Sequence, residues 1–248
     1  MQRDKLYGMN PVIEALRAGR PIQRLLISDQ RKADRDVQEI MRLAKAKGIE
    51  VRFATRDAMT REAQNNAHQG VIAVASAREY ATIDDILRIP EERGQVPFFL
   101  ILDSIEDPRN LGAILRTAEV AGVHGVIIPE RRAAGLTETV AKTAAGALEY
   151  VPVVKVVNIS NTIQTLKKMG IWIAGAEAGG EMLYWDADFV RPTALVVGGE
   201  DKGVRRLVQE HCDYLVSLPL MGNITSLNVS VAAGALMYEV LRQRRGKK

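Results

Sequence analysis

The sequence predicts an α/β protein of two units, the larger built on a parallel sheet. Three observations lead there. Short aliphatic runs such as "FFLILD", "GVIIP" and "TALVVGG" alternate with helical stretches, the pattern of parallel strands covered on both faces. Apolar residues make up 47% of the 248-residue chain while aromatics make up 5%, so the core is aliphatic and alanine-rich. Charge divides unevenly: residues 1–76 carry 14 Lys+Arg against 9 Asp+Glu, and the remainder is close to neutral within an overall charge of +4. A small basic unit joined to a neutral one suggests a polyanion-binding module beside a catalytic one, although an ordinary soluble surface has the same signature.

The elements follow in order. "NPVIEALRAG" is helical, with Asn10 as N-cap, Pro11 at the first position and Gly19 past the end. "IQRLLIS" is a strand, and "DRDVQEIMRLAKAKG" is an amphipathic helix closed by Gly48. "EVRFAT" and "GVIAVAS" are strands separated by a short helix, which completes a small alternating domain over residues 1–76. Residues 77–95, charged and carrying Pro90 and Gly94, read as a linker with at most a short helix. From residue 96 to 248, five apolar strands enclose helices at 110–121, 137–148 and 159–169. A basic helix "VRRLVQEHC", a strand "YLVSLPL" and a long final helix from "SLNVSVAAGALMYE" complete the chain, with Ser226 as its cap and Asn228 one turn inside.

Composition narrows the function classes. No apolar run approaches the length of a membrane span, and the first residues lack the apolar region of a secretory signal. One cysteine, Cys212, excludes an internal disulfide and fits a reducing, cytoplasmic compartment. Three scattered histidines and that cysteine match no zinc spacing, so no metal is expected. The turn "DSIEDPRN" has no glycine to admit a pyrophosphate, "GGEDKG" lacks the Lys-Ser/Thr pair of a phosphate loop, and no G-x-S-x-G elbow occurs.

What remains is three polar loops at the C-terminal ends of apolar strands, where open α/β sheets bind ligands. After the first, Leu111, Ile114, Leu115 and Ala118 share a core face of the helix, and Arg116 lies off it on the side of Gly112. Arg116 is then either a surface arginine or one facing a ligand that Gly112 lets close, and Asn110 either a helix cap or a functional group. In "VVGGEDKG", Gly198 and Gly199 let backbone meet a ligand, and Glu200 is a ligand group or an ordinary helix-start acid. The final helix presents Ser230, Ala232, Ala233, Gly234 and Ala235, a face small enough for tight helix packing or a ligand.

Taken together, "NLGAILRTAEVAG", "VVGGEDKGVRRL" and "LPLMGNITSLNVSVAAGALMYE" resemble the three ordered motifs of the SpoU/TrmH branch of the SPOUT RNA methyltransferases, over essentially the whole chain. "YGMNPVIEAL" and "HQGVIAVAS" resemble the ribosomal-protein-like RNA-binding extension of bacterial 23S rRNA guanosine 2′-O-methyltransferases. Asp201 stands where relatives usually carry glycine. The resemblance implies a trefoil knot in the last strands, S-adenosylmethionine bent within it, and a homodimer that completes each site. It implies cofactor contacts at Gly198, Leu218 and Leu227, with Gly199, Leu220 and Ser226 as neighbours. It implies Arg116 as the activating residue, with Asn110, Glu200, Ser226 and Asn228 around it. The implied reaction is methylation of a guanosine ribose in 23S rRNA. Ribose methylation of tRNA, base methylation, and a non-catalytic RNA-binding or ribosome-assembly protein of the same fold stand as alternatives.

Overall fold

The computed structural model describes residues 3–63, 68–199 and 203–246. In chain order the described elements are β1 (Arg3–Tyr7), α1 (Met9–Arg17), β2 (Ile22–Ser28), α2 (Arg35–Ala46), β3 (Glu50–Ala54), α3 (Arg56–Ala63), β4 (Val71–Ser76), α4 (Ile83–Arg93), β5 (Phe98–Asp103), α5 (Pro108–Val120) and β6 (Gly125–Pro129). They continue with α6 (Glu138–Thr143), β7 (Val153–Val156), α7 (Ile159–Lys168), β8 (Trp172–Ala176), β9 (Met182–Leu183), β10 (Thr193–Gly198), α8 (Arg206–Gln209), β11 (Tyr214–Ser217) and α9 (Val229–Arg245). By packing, Met1–Glu79 and Leu136–Tyr150 form one unit, and Tyr80–Gly135 with Val151–Lys248 the other.

The first unit has a four-stranded sheet in the order β1-β4-β2-β3, with only β2 and β3 parallel. Its core is the apolar stripe of α1 and α2 (Val12, Leu16, Val37, Ile40) against Leu25, Ile27 and Val71. The strand β1 escapes the sequence reading because "RDKLY" carries three charges. The cap of α1 is Gly8, at φ 93, rather than Asn10, which lies within the helix. The stretch 137–148 is shorter in helix than its composition suggests: α6 stops at Thr143, and Ala145 turns into the left-handed region at φ 51. Leu136–Tyr150 is held in the first unit by ions. The Glu149 side chain, 6% exposed, accepts from Arg20 Nη1 at 3.2 Å and from Arg78, while Arg20 Nη2 donates to Asp4 at 2.6 Å.

The second unit carries a wholly parallel seven-stranded sheet, β7-β6-β5-β10-β8-β11-β9. All six residues of β5 and of β10 are buried, the consequence of helices on both faces. Phe99, Ile101, Ile127, Val154, Ile173 and Val196 form its core, with Ile163 and Leu166 from α7. The region read as a linker holds a well-capped helix: the Thr82 hydroxyl accepts from Asp85 N at 3.2 Å, the Asp85 carboxylate accepts from Thr82 N at 2.9 Å, and Gly94 ends α4 in the left-handed conformation. The basic segment after residue 203 is helical for only four residues, and the two-residue β9 gave no sequence signal.

The ends of the central strands are in register. Gly198 pairs with Asp103, and Val197 with both Leu102 and Ala176. The C-terminal tips of β5, β10 and β8 therefore lie side by side. The order of strands reverses at β5: β6 and β7 extend one way and the later strands the other, which opens a crevice at these tips.

His124 joins the opposite ends of β5 and β6. Phe98 N–H donates to its Nδ1 at 3.0 Å, so the ring proton sits on Nε2 and donates to Gln95 Oε1 at 2.9 Å. Burial, then the charges of Arg93 and Arg244, push the imidazole pKa down from 6.5 to about 4. A histidine held neutral in the fold stabilises it fully above the unfolded value and loses that contribution as pH falls towards the folded one. Urea titrations should show unfolding free energy declining from pH 6.5 to about 4, with a shallower decline in His124→Gln.

Candidate functional site

Two adjoining cavities occupy the crevice and share Gly199, Gly203 and Val229 as a wall. The first, about 460 Å³, is polar; its lining includes Ser104, Glu106, Asp107, Asn110, Arg132 and Arg205. The second, about 360 Å³, is mostly apolar, and Val197, Val216, Leu218, Leu220, Leu227 and Leu236 line it together with Gly198, Glu177 and Ser226. Every cofactor residue expected from the resemblance (Gly198, Gly199, Leu218, Leu220, Ser226 and Leu227) lies on this second cleft.

The shared wall is made of backbone. A Cβ on Gly198 would stand 2.0 Å from the Gly203 carbonyl carbon, and one on Gly199 would stand 2.4 Å from Ser104 O. Gly203 N–H donates to Gly199 O at 2.9 Å, and Gly199 N–H to Asp103 O at 2.9 Å. No side chain fits at either position, so the glycines are required by close approach.

Asp103 fixes this wall. Its side chain is fully buried at the tip of β5, where Oδ2 accepts from Arg205 N at 2.9 Å and Oδ1 from Arg205 Nε at 2.7 Å. Arg205, after β10, is thus clamped to the tip of β5. Glu177 holds the other side: its Oε2 accepts from Gln209 Nε2 at 2.9 Å. Asp103, Glu177 and Arg205 were not singled out from sequence, although an acid closing the apolar run "FFLILD" was a visible signal for the first.

Asn110 and Asn228 meet. Asp107, not Asn110, caps α5 by accepting from Arg109 N at 2.7 Å. Asn110 therefore lies inside the helix, nearly buried, and its Oδ1 accepts from Asn228 Nδ2 at 3.1 Å. Asn228, rather than Ser226, is the N-cap of α9, and its Oδ1 accepts from Ser230 N at 3.0 Å. The asparagine that looked misplaced within a helix is its cap, with the amide nitrogen left to reach across to α5. Ser226 is exposed in the preceding loop, on the rim of the apolar cleft.

Arg116 is exposed on α5 and lines neither cavity. Its neighbour Gly112 is buried, and Thr117 lies near Gly234 of α9. Glu200 and Asp201 lie outside the described residues.

Cys212 is set back from the crevice. Burial, then the charge of Asp213, pushes its thiol up to about 12, and its Sγ would stand 2.9 Å from a Cβ on Gly175. A thiol so raised is protonated at neutral pH and cannot serve as a nucleophile.

The same organisation recurs in known proteins. Residues 97–238 match the model of the SpoU rRNA Methylase family, and residues 5–81 match that of RNA 2′-O ribose methyltransferase substrate binding. The chain is 46% identical over 243 residues to YacO of Bacillus subtilis, of the TrmH family of tRNA/rRNA methyltransferases, covering 98% of this chain and 97% of that one. It is 43% identical to a TrmH-family protein of Staphylococcus aureus, covering 98% of each. The crystal structure of the SpoU methyltransferase AviRb from Streptomyces viridochromogenes, in complex with S-adenosylmethionine, superimposes with a TM-score of 0.81 at 27% identity, covering 98% of this chain and 91% of that one. With the motifs, the sheet and both matched regions in agreement, the chain belongs to the SpoU family of RNA 2′-O-ribose methyltransferases.

Proposed function

We propose that the chain methylates a guanosine 2′-hydroxyl of 23S rRNA in the cytoplasm, as a homodimer with a trefoil-knotted methyltransferase unit at residues 96–248 and an RNA-binding unit at residues 1–76. The observation that carries this reading is the Asn110–Asn228 contact on the polar side of a glycine wall whose other side is an apolar cleft. A donor and an acceptor of a methyl group need two such adjoining compartments. The excess of 14 basic over 9 acidic residues in the first unit supports binding of RNA phosphates.

The apolar cleft fits S-adenosylmethionine. Leu218, Leu220 and Leu227 offer apolar surface to adenine, Gly198 and Gly199 leave room for close approach of a ligand, and Glu177 brings negative charge towards a cationic ligand. When bound, the cofactor supplies an electrophilic methyl group. The rest falls to the protein. A ribose hydroxyl is a weak nucleophile until its proton is shared or lost. Histidine is absent from both cavity linings among the described residues. A guanidinium stays protonated, so Arg116 acts by holding the adjacent phosphate and stabilising alkoxide character as it develops. Asn110 and Asn228, locked by their mutual bond, Glu200 and Ser226 orient the ribose; alignment in such a site is worth roughly 7 kcal/mol or more of the barrier.

Arg116 is exposed and lines neither cavity of its own chain, which supports its entering the site of the partner subunit. Coexpressed Arg116→Ala and Asn228→Ala chains test this. Two-fold pairing puts the intact Arg116 of one chain against the intact Asn228 of the other, and roughly a quarter of wild-type sites should recover in a random mixture. Activity no higher than either variant alone would place Arg116 in its own chain's site. Gly198→Ala should lower the thermal midpoint by several degrees and also weaken calorimetric S-adenosylmethionine binding, because its Cβ would stand 2.0 Å from backbone and overpacking of this kind costs about 1–3 kcal/mol. Mapping alkali-resistant positions in 23S rRNA and bulk tRNA, from cells with and without the gene, tests the substrate. One lost 2′-O-methylguanosine in 23S rRNA is expected, and a loss confined to tRNA would overturn the assignment.

A further inference from the structure

The first unit contains a cup, far along the chain from any motif of the methyltransferase unit, that the reaction does not use. It has a volume of about 230 Å³ and is lined by Ser28, Gln30, Arg31, Arg56, His68 and Gly70, with Gln69. We propose that this cup seats one backbone phosphate of the RNA substrate, with Arg56 as its principal ligand; the inference rests on the RNA-binding role assigned to this unit.

The cup is built rather than incidental. Gln69, a non-glycine residue, is held at φ 50, and Gly70 follows at φ 81. A Cβ on Gly70 would stand 2.6 Å from Arg31 Cδ, so the turn is shaped around the arginine stem. Left-handed backbone at a non-glycine residue is costly and clusters at binding sites. Gly70 N–H donates to His68 Nδ1 at 3.0 Å, and the opposite ring nitrogen lies 3.2 Å from Thr60 Oγ1, which fixes the imidazole beneath the turn. Burial and the nearby charge of Arg56 lower the His68 pKa, so the histidine supports the cup as a neutral group.

The two arginines differ. Arg31 is engaged: its Nε donates to Asp34 at 2.6 Å and its Nη1 to Gln69 O. Arg56 makes no hydrogen bond or ion pair among the described residues, yet its charge is felt at His68 across the cup. It also stands at the first residue of α3, where the helix dipole disfavours a cation. An anion in the cup would reverse both penalties. A small open cup of about 230 Å³ with two arginines suits a compact anion such as a phosphodiester.

The test uses the full-length protein and a 23S rRNA transcript, with affinity measured by fluorescence anisotropy across a series of KCl concentrations. Arg56→Gln should lower the slope of log affinity against log salt by about 0.7–0.9, one phosphate contact. Arg56→Lys should keep the slope, since a phosphate accepts a point charge. Arg42→Gln, which removes an exposed charge from α2, should leave the slope unchanged. Equal slopes for Arg56→Gln and Arg42→Gln, with methylation intact, would overturn the cup while leaving the enzyme assignment standing. Absence of salt-dependent RNA binding by the wild-type protein would overturn the RNA-binding role of the unit, and the cup with it.

Discussion

The Asp103 carboxylate, with no exposed surface, is the constraint on which the crevice depends. It closes a strand whose other residues are all apolar, and its oxygens are taken by the backbone and guanidinium of Arg205. A buried charge is costly unless it is paired and hydrogen-bonded, and an apolar pair of similar volume often serves stability as well. What an apolar pair would not give is direction. Two hydrogen bonds from one residue, through its backbone and its guanidinium, set both the position and the orientation of the chain just after the glycine loop. That loop is in backbone contact with itself at Gly198 and Gly203 and with the turn after β5 at Gly199 and Ser104. A slip of an ångström here would close one cavity into the other. The ion pair is better understood as a positioning device for the wall between two compartments than as a source of folding energy.

The wall also explains why the two compartments differ in character. On one side the chain emerging from β11 and entering α9 contributes leucines, and on the other the turn after β5 contributes acids, α5 contributes Asn110, and Arg132 and Arg205 come from the segments after β6 and β10. Ser104 at φ 68 and Arg132 at φ 60 both border the polar cavity. Non-glycine residues are seldom held in this region unless surrounding structure determines them, so the strain at this rim accords with its use as a site. The asparagine pair crosses the same boundary: one amide caps α9 with its oxygen and reaches α5 with its nitrogen. A single side chain thereby sets the start of the last helix and the position of Asn110, 118 residues away in sequence.

That distance marks what the sequence could reveal. The strands were readable because a parallel strand buried on both faces must be apolar throughout, as "FFLILD" and "TALVVG" are. The motifs were readable as ordered segments, and the residues named for the cofactor do share one cleft. What escaped was decided by non-local partners. Ser226 and Asn228 are equally good cap residues by type, and the choice falls to Asn228, the residue that also bonds to α5. The acid at 103 was visible, but its partner lies 102 residues on. Leu136–Tyr150 shows nothing in its composition to say that Glu149 will be claimed by Arg20 and Arg78 of the first unit. Local propensity proposes elements, and buried charge then decides which of them belong together.

Arg116 brings the same reasoning to the surface of the second unit. It lies one helical turn before Val120, which is 60% exposed, and α9 beside it leaves Val231 at 56% and Tyr238 at 48%. Scattered exposed apolar residues need no explanation. These sit on two helices packed together, and the loop leading into α9 adds Leu227, Ile224 and Met221, all exposed. Exposed apolar residues and an arginine on two packed helices fit an interface, where aromatic side chains, methionine and arginine are enriched. Leu227 also lines the apolar cleft, so a partner covering this surface would meet the rim of the donor compartment. The proposed dimer thus accounts with one contact for two features that a single chain leaves unrelated: an apolar surface beside the cleft, and an exposed arginine that lines neither cavity of its own chain.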